Sequence, residues 1–571
     1  MNQQEITLDI SNLSIDQTKE FNLCVNEHRK DFDQMLCKLA EEKNLYSEIF
    51  FTSIFSREPE FSPLFERCCK LSFIKKQIEL GAAQKIIVDD LELYQVLKKS
   101  YDNTENHLEI HCNENKLRHL SRKLLPLRNF VRSFCFVLFM LAAKQKRKDN
   151  ELVNKDIILF STNILKGSIE NNGTNYSDRN FPNILDFIPE EDRDRIAFLP
   201  QFPGGPRPFN KTFEHLRKNK QSFIIKADHL QLKDYLDAFS YPFRINIKNI
   251  DTVNFLKFDI TQLITREYRQ LMFDFKIIES LLNCKISKRL KESGIKISTF
   301  IDWYENQLSS KGLIYGFRKN YPESKIIGYC GIIDSASYRI NLHPSEYENK
   351  QKLLPHQIKV LGTNTKNDFM EFTKNINIST APSLRYKYLH EIDNNGAGNP
   401  GFTILVALPI FKDQSRNILS VLEGSLRQLE EIDNLRIYIK THPTQSPETY
   451  KSFSRIESES CRFIDCDFLD SVKSADLLVS AASTTCMEAL AIGVPVAIIG
   501  GKNQILQNPI PKSIHHDYWR ICYSSDQLIG FSKKVFKMDK HDLKIELGKI
   551  KDTYFMLPTH QNIKELIQLN G

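Results

Sequence analysis

Three apolar runs near the C-terminal end lack polar alternation: Leu435–Ile439, Leu477–Val479 and Val494–Ile499. Short, β-branched or leucine-rich and unbroken, they predict parallel strands buried on both faces. Between the last two, Cys486–Ile492 predicts a helix, which Gly493 and Pro495 stop. The rest of the chain carries the same alternation of short apolar runs and helical periodicity. Over 1–115, strands are expected at Ile6–Ile10, Ser47–Phe55, Lys85–Val88 and His107–His111. Phe21, Val25, Phe32, Leu36 and Leu39 predict one helix over 16–42, and Leu91–Lys99 another. Asp156–Phe160 is read as continuing that sheet, followed by strands at Ile196–Leu199 and Phe223–Ile225 and a largely helical 252–292. Ile297–Ile301, the helix Gln307–Lys319, Lys325–Tyr329 and Gln357–Leu361 form the succession of a Rossmann-like domain. Residues 365–400 read as a polar crossover. The strand Phe402–Leu408 and the helix Asn417–Glu431 open a second domain, which closes with helices at 525–550 and 559–569. The expected division is 1–390, a linker at 391–401 containing NNGAGNPG, and 402–571.

The chemistry gathers where strands end. Lys440, Thr441, His442 and Pro443 follow the first run; Ser480, Ser483, Thr484 and Thr485 follow the second and open the helix. Ligands of open α/β sheets sit beyond the carboxyl ends of strands, and helix N-termini with hydroxyl side chains suit phosphate. A strand followed by Lys-x-His-Pro, then a Ser/Thr cluster opening a helix that reads EALAIGVPV, resembles the C-terminal half of GT-B glycosyltransferases. Among these it is most like bacterial enzymes using CMP-activated acid sugars, the sialyltransferases and the Kdo transferases of capsule and lipopolysaccharide assembly. The resemblance spans roughly 150–571 and implies two Rossmann-like domains facing a cleft, with the final helix crossing back onto the first. It implies that His442, Pro443, Ser483 and Thr484 hold the CMP phosphate and that Glu488 meets the ribose. It implies no metal and no cofactor beyond the nucleotide sugar. Asp465-Cys466-Asp467 is formally a DxD, but that metal motif belongs to another glycosyltransferase fold.

A second polar cluster, Asp302, Trp303, Tyr304, Glu305 and Asn306, lies at a strand–helix junction and so at a sheet's carboxyl edge. The run WYENQ followed by a GFRK-type helix also resembles bacterial surface-carbohydrate biosynthesis proteins. Glycosyl transfer needs a carboxylate to accept or orient the acceptor proton. Glu305 is the first candidate and Asp302 the second, with a pKa raised by partial desolvation. Tyr304, Asn306 and Arg207, the last in the turn-rich loop FPGGPRPFN, are acceptor-side candidates. His343-Pro344 is read as a loop feature or acceptor contact. Pro409, Lys412 and Ser415 are expected in a loop at the cleft. The expected partners are a CMP-linked sugar and a glycan or lipid-linked acceptor. The same fold also serves UDP- or GDP-sugars, CDP-glycerol transfer and sugar-nucleotide epimerases, and a non-catalytic membrane-docked scaffold is a third reading.

The composition, 41% hydrophobic and 26% charged over 571 residues, is that of an ordinary globular chain, and a net charge of +7 does not call for nucleic acid. Twelve cysteines without a CxxC pair point to a reducing cytoplasm. Asp89 and Asp90 at a strand–helix junction are read as a cap rather than a metal site, and His515-His516 as weak metal candidates. The start of the chain shows no signal-peptide pattern. Over 116–148, ten lysines and arginines and no acid enclose the apolar run Ser133–Ala143. That run is too short to span a bilayer and is expected to dock at an anionic membrane surface, placing the protein peripherally on the cytoplasmic face.

Overall fold

In the computed structural model, the described residues exclude 1–5, 43–46, 103–107, 115–120, 146–151, 154, 166, 171–174, 203–206, 245–251, 334–337, 372, 393–400 and 570–571. The strands form three parallel sheets. A small one joins β1 (Thr7–Asp9), β2 (Lys85–Val88) and β3 (Glu109–Cys112) in that order. The second contains β4 (Asp156–Asn163), β5 (Ile196–Gln201), β6 (Ser222–Phe223), β7 (Lys296–Trp303), β8 (Lys325–Cys330), β9 (Gln357–Val360) and β10 (Asn377–Thr380). Its order is β10-β9-β8-β7-β4-β5-β6. The third contains β11 (Phe402–Ala407), β12 (Leu435–Lys440), β13 (Cys461–Ile464), β14 (Leu477–Ser480), β15 (Val496–Ile499) and β16 (Trp519–Cys522), ordered β13-β12-β11-β14-β15-β16. All their strand pairs are parallel. Two short antiparallel hairpins lie outside these sheets. This is the expected α/β, GT-B-type pair of Rossmann-like sheets, with an added three-stranded lobe.

Six helices place the features that matter below: α1 (Leu125–Ala142), α2 (Leu232–Phe239), α3 (Phe275–Glu292), α4 (Leu308–Asn320), α5 (Thr484–Ala491) and α6 (His560–Ile567). The two faces of the second sheet are covered because β–α–β crossovers put helices there. Gly312 and Gly316, one turn apart on α4, let it lie directly against α3. A Cβ at Gly312 would stand 2.1 Å from the Ser280 carbonyl oxygen, and one at Gly316 2.6 Å from that of Cys284. α6 crosses back as the resemblance implied. Its Ile563, Leu566 and Ile567 are fully buried in the core built around the second sheet, and Lys359 Nζ on β9 donates to the Glu565 carbonyl at 2.9 Å.

Several expectations change. The 16–42 segment is two helices, Ile15–Glu27 and Arg29–Glu42, broken at His28, whose ring packs edge-on to Phe255. Ser47–Phe55 is helical rather than a strand: Phe50, Phe51, Ile54 and Phe55 are all buried, a spacing a short apolar run does not distinguish from a strand. Asp156–Asn163 does not continue the N-terminal sheet but sits inside the second. The edge strand β10 lies in the segment read as a polar crossover. Ser133–Ala143 is only part of an 18-residue helix, which among the described residues is the one long and apolar enough to cross a membrane. The Asp90 carboxylate caps its helix, accepting from Leu93 N at 3.0 Å, and Arg67 beside it holds its pKa down to about 2 against the effect of burial. Most of the 391–401 linker lies outside the described residues.

Gly312→Ala should lower unfolding stability by about 3 kcal/mol, because the added methyl meets backbone rather than a flexible side chain. Denaturant titration reads this as a lower midpoint at unchanged slope.

Candidate active site between the two sheets

β12 delivers Lys440 and then His442 to the carboxyl edge of the third sheet. His442 is half-buried; its Nδ1 accepts from Thr444 N at 3.2 Å and faces Thr444 Oγ1 at 2.8 Å, which leaves Nε2 to carry the proton of a neutral ring. Burial, then the nearby cations of Arg179 and Lys440, push its pKa below the usual histidine value. Pro443 is exposed. β14 ends at Ser480, which is buried with its hydroxyl donating to the Ala407 carbonyl at 2.9 Å, so it ties β14 to β11 instead of facing a ligand. Ser483 is the N-cap of α5: its Oγ accepts from Thr485 N at 3.2 Å and pairs with Thr485 Oγ1 at 2.6 Å. Thr484 Oγ1 donates at 3.2 Å to the carbonyl of Ile333, just beyond β8 of the other sheet. One turn further, Glu488 accepts from the Tyr388 hydroxyl, also across the domains, and burial raises its pKa. The carboxyl edges of the two sheets therefore face each other.

Two residues that sequence reasoning passed over complete this wall. Arg179 is exposed on a loop fixed by Asp178, whose buried carboxylate accepts from Thr162, from the Tyr176 hydroxyl at 2.8 Å and from the N–H groups of Asn180 at 2.8 Å and Phe181 at 3.1 Å. Its charge acts on His442, Glu488 and Arg385 at once. Arg385, half-buried, acts on Glu488 as well. Neither lies in a periodic segment or a motif; only the Asp-Arg-Asn turn chemistry around Arg179 hints at a shaped loop. Arg179, Arg385, Lys440 and His442 thus line the third sheet's carboxyl edge with positive and hydrogen-bond-donating groups. β12 and β14 flank β11, so His442 and the α5 start belong to rows about 10 Å apart, a span closer to a nucleotide's than to one phosphate's.

At the second sheet's own carboxyl edge, a cavity of about 260 Å³ opens at the ends of β4, β5 and β7, lined among others by Asn163, Gln201, Lys276, Glu279 and Glu305. Glu305 is held on both oxygens: Oε1 accepts from Trp303 Nε1 at 2.7 Å, and Oε2 from Arg339 Nη2 at 2.6 Å and Gln307 Nε2 at 3.1 Å. Glu279, on α3, has its pKa raised by burial, with Lys226 3.8 Å away. It is a second cavity carboxylate, hidden in sequence by its mid-helix position. Arg207 is exposed, its guanidinium 5.9 Å from the ring centre of Phe202, another lining residue; part of its loop lies outside the described residues.

Three candidates are interior. Asp302 is 1% exposed, and burial raises its pKa to about 7 while the Ser310 and Ser161 hydroxyls draw it down. Tyr304 and Asn306 are both fully buried, Asn306 donating to the Asn341 carbonyl at 2.7 Å from a left-handed turn with φ of 49°. The chain alternates faces along a strand, so only one side of this junction reaches the cavity. His343 is also buried, its carbonyl accepting from Arg57. Ser415 is buried on the helix Lys412–Leu429, bonding the Pro409 carbonyl. His515 and His516 are exposed, Asp467 caps a helix, and no group of three metal-ligating side chains occurs among the described residues.

No model of a known protein family matches the chain, and no curated protein does. Among solved structures it is similar to Staphylococcus aureus MnaA crystallised with UDP, at 11% identity and a TM-score of 0.42 over 73% of this chain and 98% of that one. It is similar to MurG of Acinetobacter baumannii, at 11% identity and 0.40 over 73% and 100%. The wall teichoic acid polymerase TagF gives 11% identity and 0.37 over 80% and 97%. Likenesses this distant say nothing of substrate.

Asp302→Asn separates a structural from a titrating role. A carboxyl whose folded pKa is raised disfavours the fold increasingly as pH climbs from the unfolded value, about 3.9, to the folded one, and evenly above it. Relative to the parent, the variant should therefore gain roughly 2 kcal/mol between pH 5 and pH 8, read by denaturant unfolding at both.

Proposed function

We propose that this chain is a glycosyltransferase working in the cleft between its two large sheets, with a CMP-activated ulosonic acid as donor. The gathering of Arg179, Arg385, Lys440 and His442 along the edge that also carries the hydroxyl-capped start of α5 carries the reading: it suits a phosphorylated leaving group. The preference for CMP rests on the Lys-x-His-Pro and Ser/Thr resemblance. In the reaction, the acceptor hydroxyl oxygen bonds to the anomeric carbon as the bond from that carbon to the phosphate oxygen breaks. CMP departs with the electron pair, and Arg179 and the His442 Nε2–H stabilise the charge arriving on its phosphate, while the α5 start, about 10 Å away, meets the rest of the nucleotide. Such groups are fixed before the charge develops, so they cost no reorganisation. The acceptor proton passes to Glu305, which Trp303, Gln307 and Arg339 hold in one orientation at the opposite cavity.

Thermal unfolding with CMP, UDP and GDP tests the donor class, since a ligand bound only by the folded state raises the transition in proportion to its affinity. CMP alone should raise it. Protection by UDP or GDP but not CMP would move the assignment to a different nucleotide sugar, and protection by none would leave the scaffold reading. With CMP-Kdo or a CMP-sialic-acid-type donor, His442→Ala and Arg179→Ala should each slow nucleotide release about 100-fold. Glu305→Gln should lower kcat by about 100-fold with little change in donor KM, because the carboxylate serves the acceptor.

A further inference from the structure

α1 turns an apolar stripe to solvent. Leu127, Val131, Phe134 and Leu138 recur at helical spacing and are 62%, 53%, 48% and 47% exposed. The opposite side is anchored: Asn129 Nδ2 donates to the Gln270 carbonyl at 3.0 Å, Ser133 Oγ to that of Phe273 at 2.7 Å, and Phe136 packs edge-on to Phe275. The Ser133–Ala143 run singled out by composition is therefore partly core, and the exposed stripe starts before it. α2 continues the surface. Phe130 of α1 meets Phe239 of α2 with ring centres 5.9 Å apart, and Lys144, just beyond α1, donates to the Leu230 carbonyl, just before α2. The two helices thus lie side by side; Leu232 and Leu236 of α2 are 61% and 63% exposed, and Phe243, in the short helix Tyr241–Arg244 that follows, is 80% exposed. Soluble surfaces rarely leave so much contiguous apolar area uncovered.

The rim decides what covers it. Lys123, Arg128, Arg132 and Lys233 are exposed around the stripes. The acids nearby are already matched: Asp228 by Arg217, Asp234 by Arg289, and Asp237 by Lys285 and Arg244. The surplus sign is positive. A second copy of the chain related by a two-fold axis would set this cationic rim against itself. A layer of anionic headgroups over an apolar interior complements both the rim and the stripes.

We propose that the paired faces of α1 and α2 dock the protein on an anionic bilayer, the leucines and phenylalanines entering the headgroup layer and the flanking cations meeting lipid phosphates. Phe275, which Phe136 touches and over whose ring the Arg132 guanidinium sits at 4.5 Å, also lines the acceptor-side cavity. Docking therefore sets that cavity behind α1, about one helix diameter, ~10 Å, from the lipid surface. Where the proposed transfer holds, its acceptor is lipid-linked; the docking itself does not depend on that reading.

The test is co-sedimentation of the full chain with phosphatidylcholine vesicles, with and without phosphatidylglycerol. The protein should bind the anionic vesicles at least about tenfold better, and lose that preference as salt rises. Phe134→Ser with Leu236→Ser, and separately Arg128→Glu with Lys233→Glu, should each weaken binding about tenfold or more, at an unfolding temperature close to the parent's. No binding to anionic vesicles, or binding that both pairs leave unchanged, overturns the proposal. So does a concentration-dependent dimer abolished by the serine pair with no vesicle binding, which would assign the face to a second copy. None of these readings uses a donor, so failure of the transferase assignment leaves the result standing.

Discussion

Two sheets share a working cleft only if something fixes one against the other, and here it is the burial of α6. Ile563, Leu566 and Ile567 belong to the third sheet's half of the chain by sequence, yet all three are fully buried in the core of the second. At roughly 2 kcal/mol per fully buried aliphatic side chain, that contact outweighs any single polar bridge across the cleft. The Ser383 N–H donating to the Met556 carbonyl at 2.8 Å and Thr484 reaching Ile333 then set the alignment instead of supplying the adhesion. The apolar contact holds the halves together, and the polar contacts choose their orientation.

The three-stranded lobe shares an apolar core with the second sheet, and a buried ion network is set into that junction. Arg57 bonds Asp33 at 2.8 Å and Glu348 at 2.8 Å, and Lys311 on α4 bonds Glu348 too, with Arg57, Lys311 and Glu348 at most 2% exposed. Burial pushes the lysine's pKa down while Glu348 pushes it up; Glu348 itself is held below the usual carboxylate range chiefly by the two cations, which outweigh its burial. A buried pair of this sort adds little net stability over apolar packing but makes loss of one partner costly, about 3–5 kcal/mol. Its effect is geometric: Asn306, also bonded to Glu348, sits on this network, so the turn that carries Glu305 into the cavity is set from below by residues of the lobe.

How much of this could be read beforehand follows from the range of the interactions. β12, β14 and β15 and the start of α5 were legible because continuous β-branched runs and a Ser/Thr cap are local properties. Ser47–Phe55 was not: a short apolar run fits a strand or a buried helical turn, and only its packing decides. The membership of β4 in the second sheet was hidden because parallel pairing is set by crossovers that leave no mark in the strand itself. Within the polar junction, residue types named Asp302, Tyr304, Glu305 and Asn306 alike; pleat and turn then send Glu305 alone into the cavity. Glu348 lies 291 residues from Arg57 along the chain, so no local reading could pair them.

The least legible residue is also the most telling. Arg179 belongs to the half of the chain that builds the second sheet, but its charge acts on His442 and Glu488 of the third. The loop that carries it is tied down wholly within its own half, by Asp178 to Thr162, Tyr176 and two backbone N–H groups. It is therefore held out rigidly whether or not the other sheet is present. The cationic wall is then a property of the assembled pair: each sheet brings an incomplete set of charges, and the set closes only at the separation that α6 imposes. Under the proposed reading, any motion that parted the sheets would draw Arg179 from His442 and weaken the cationic wall.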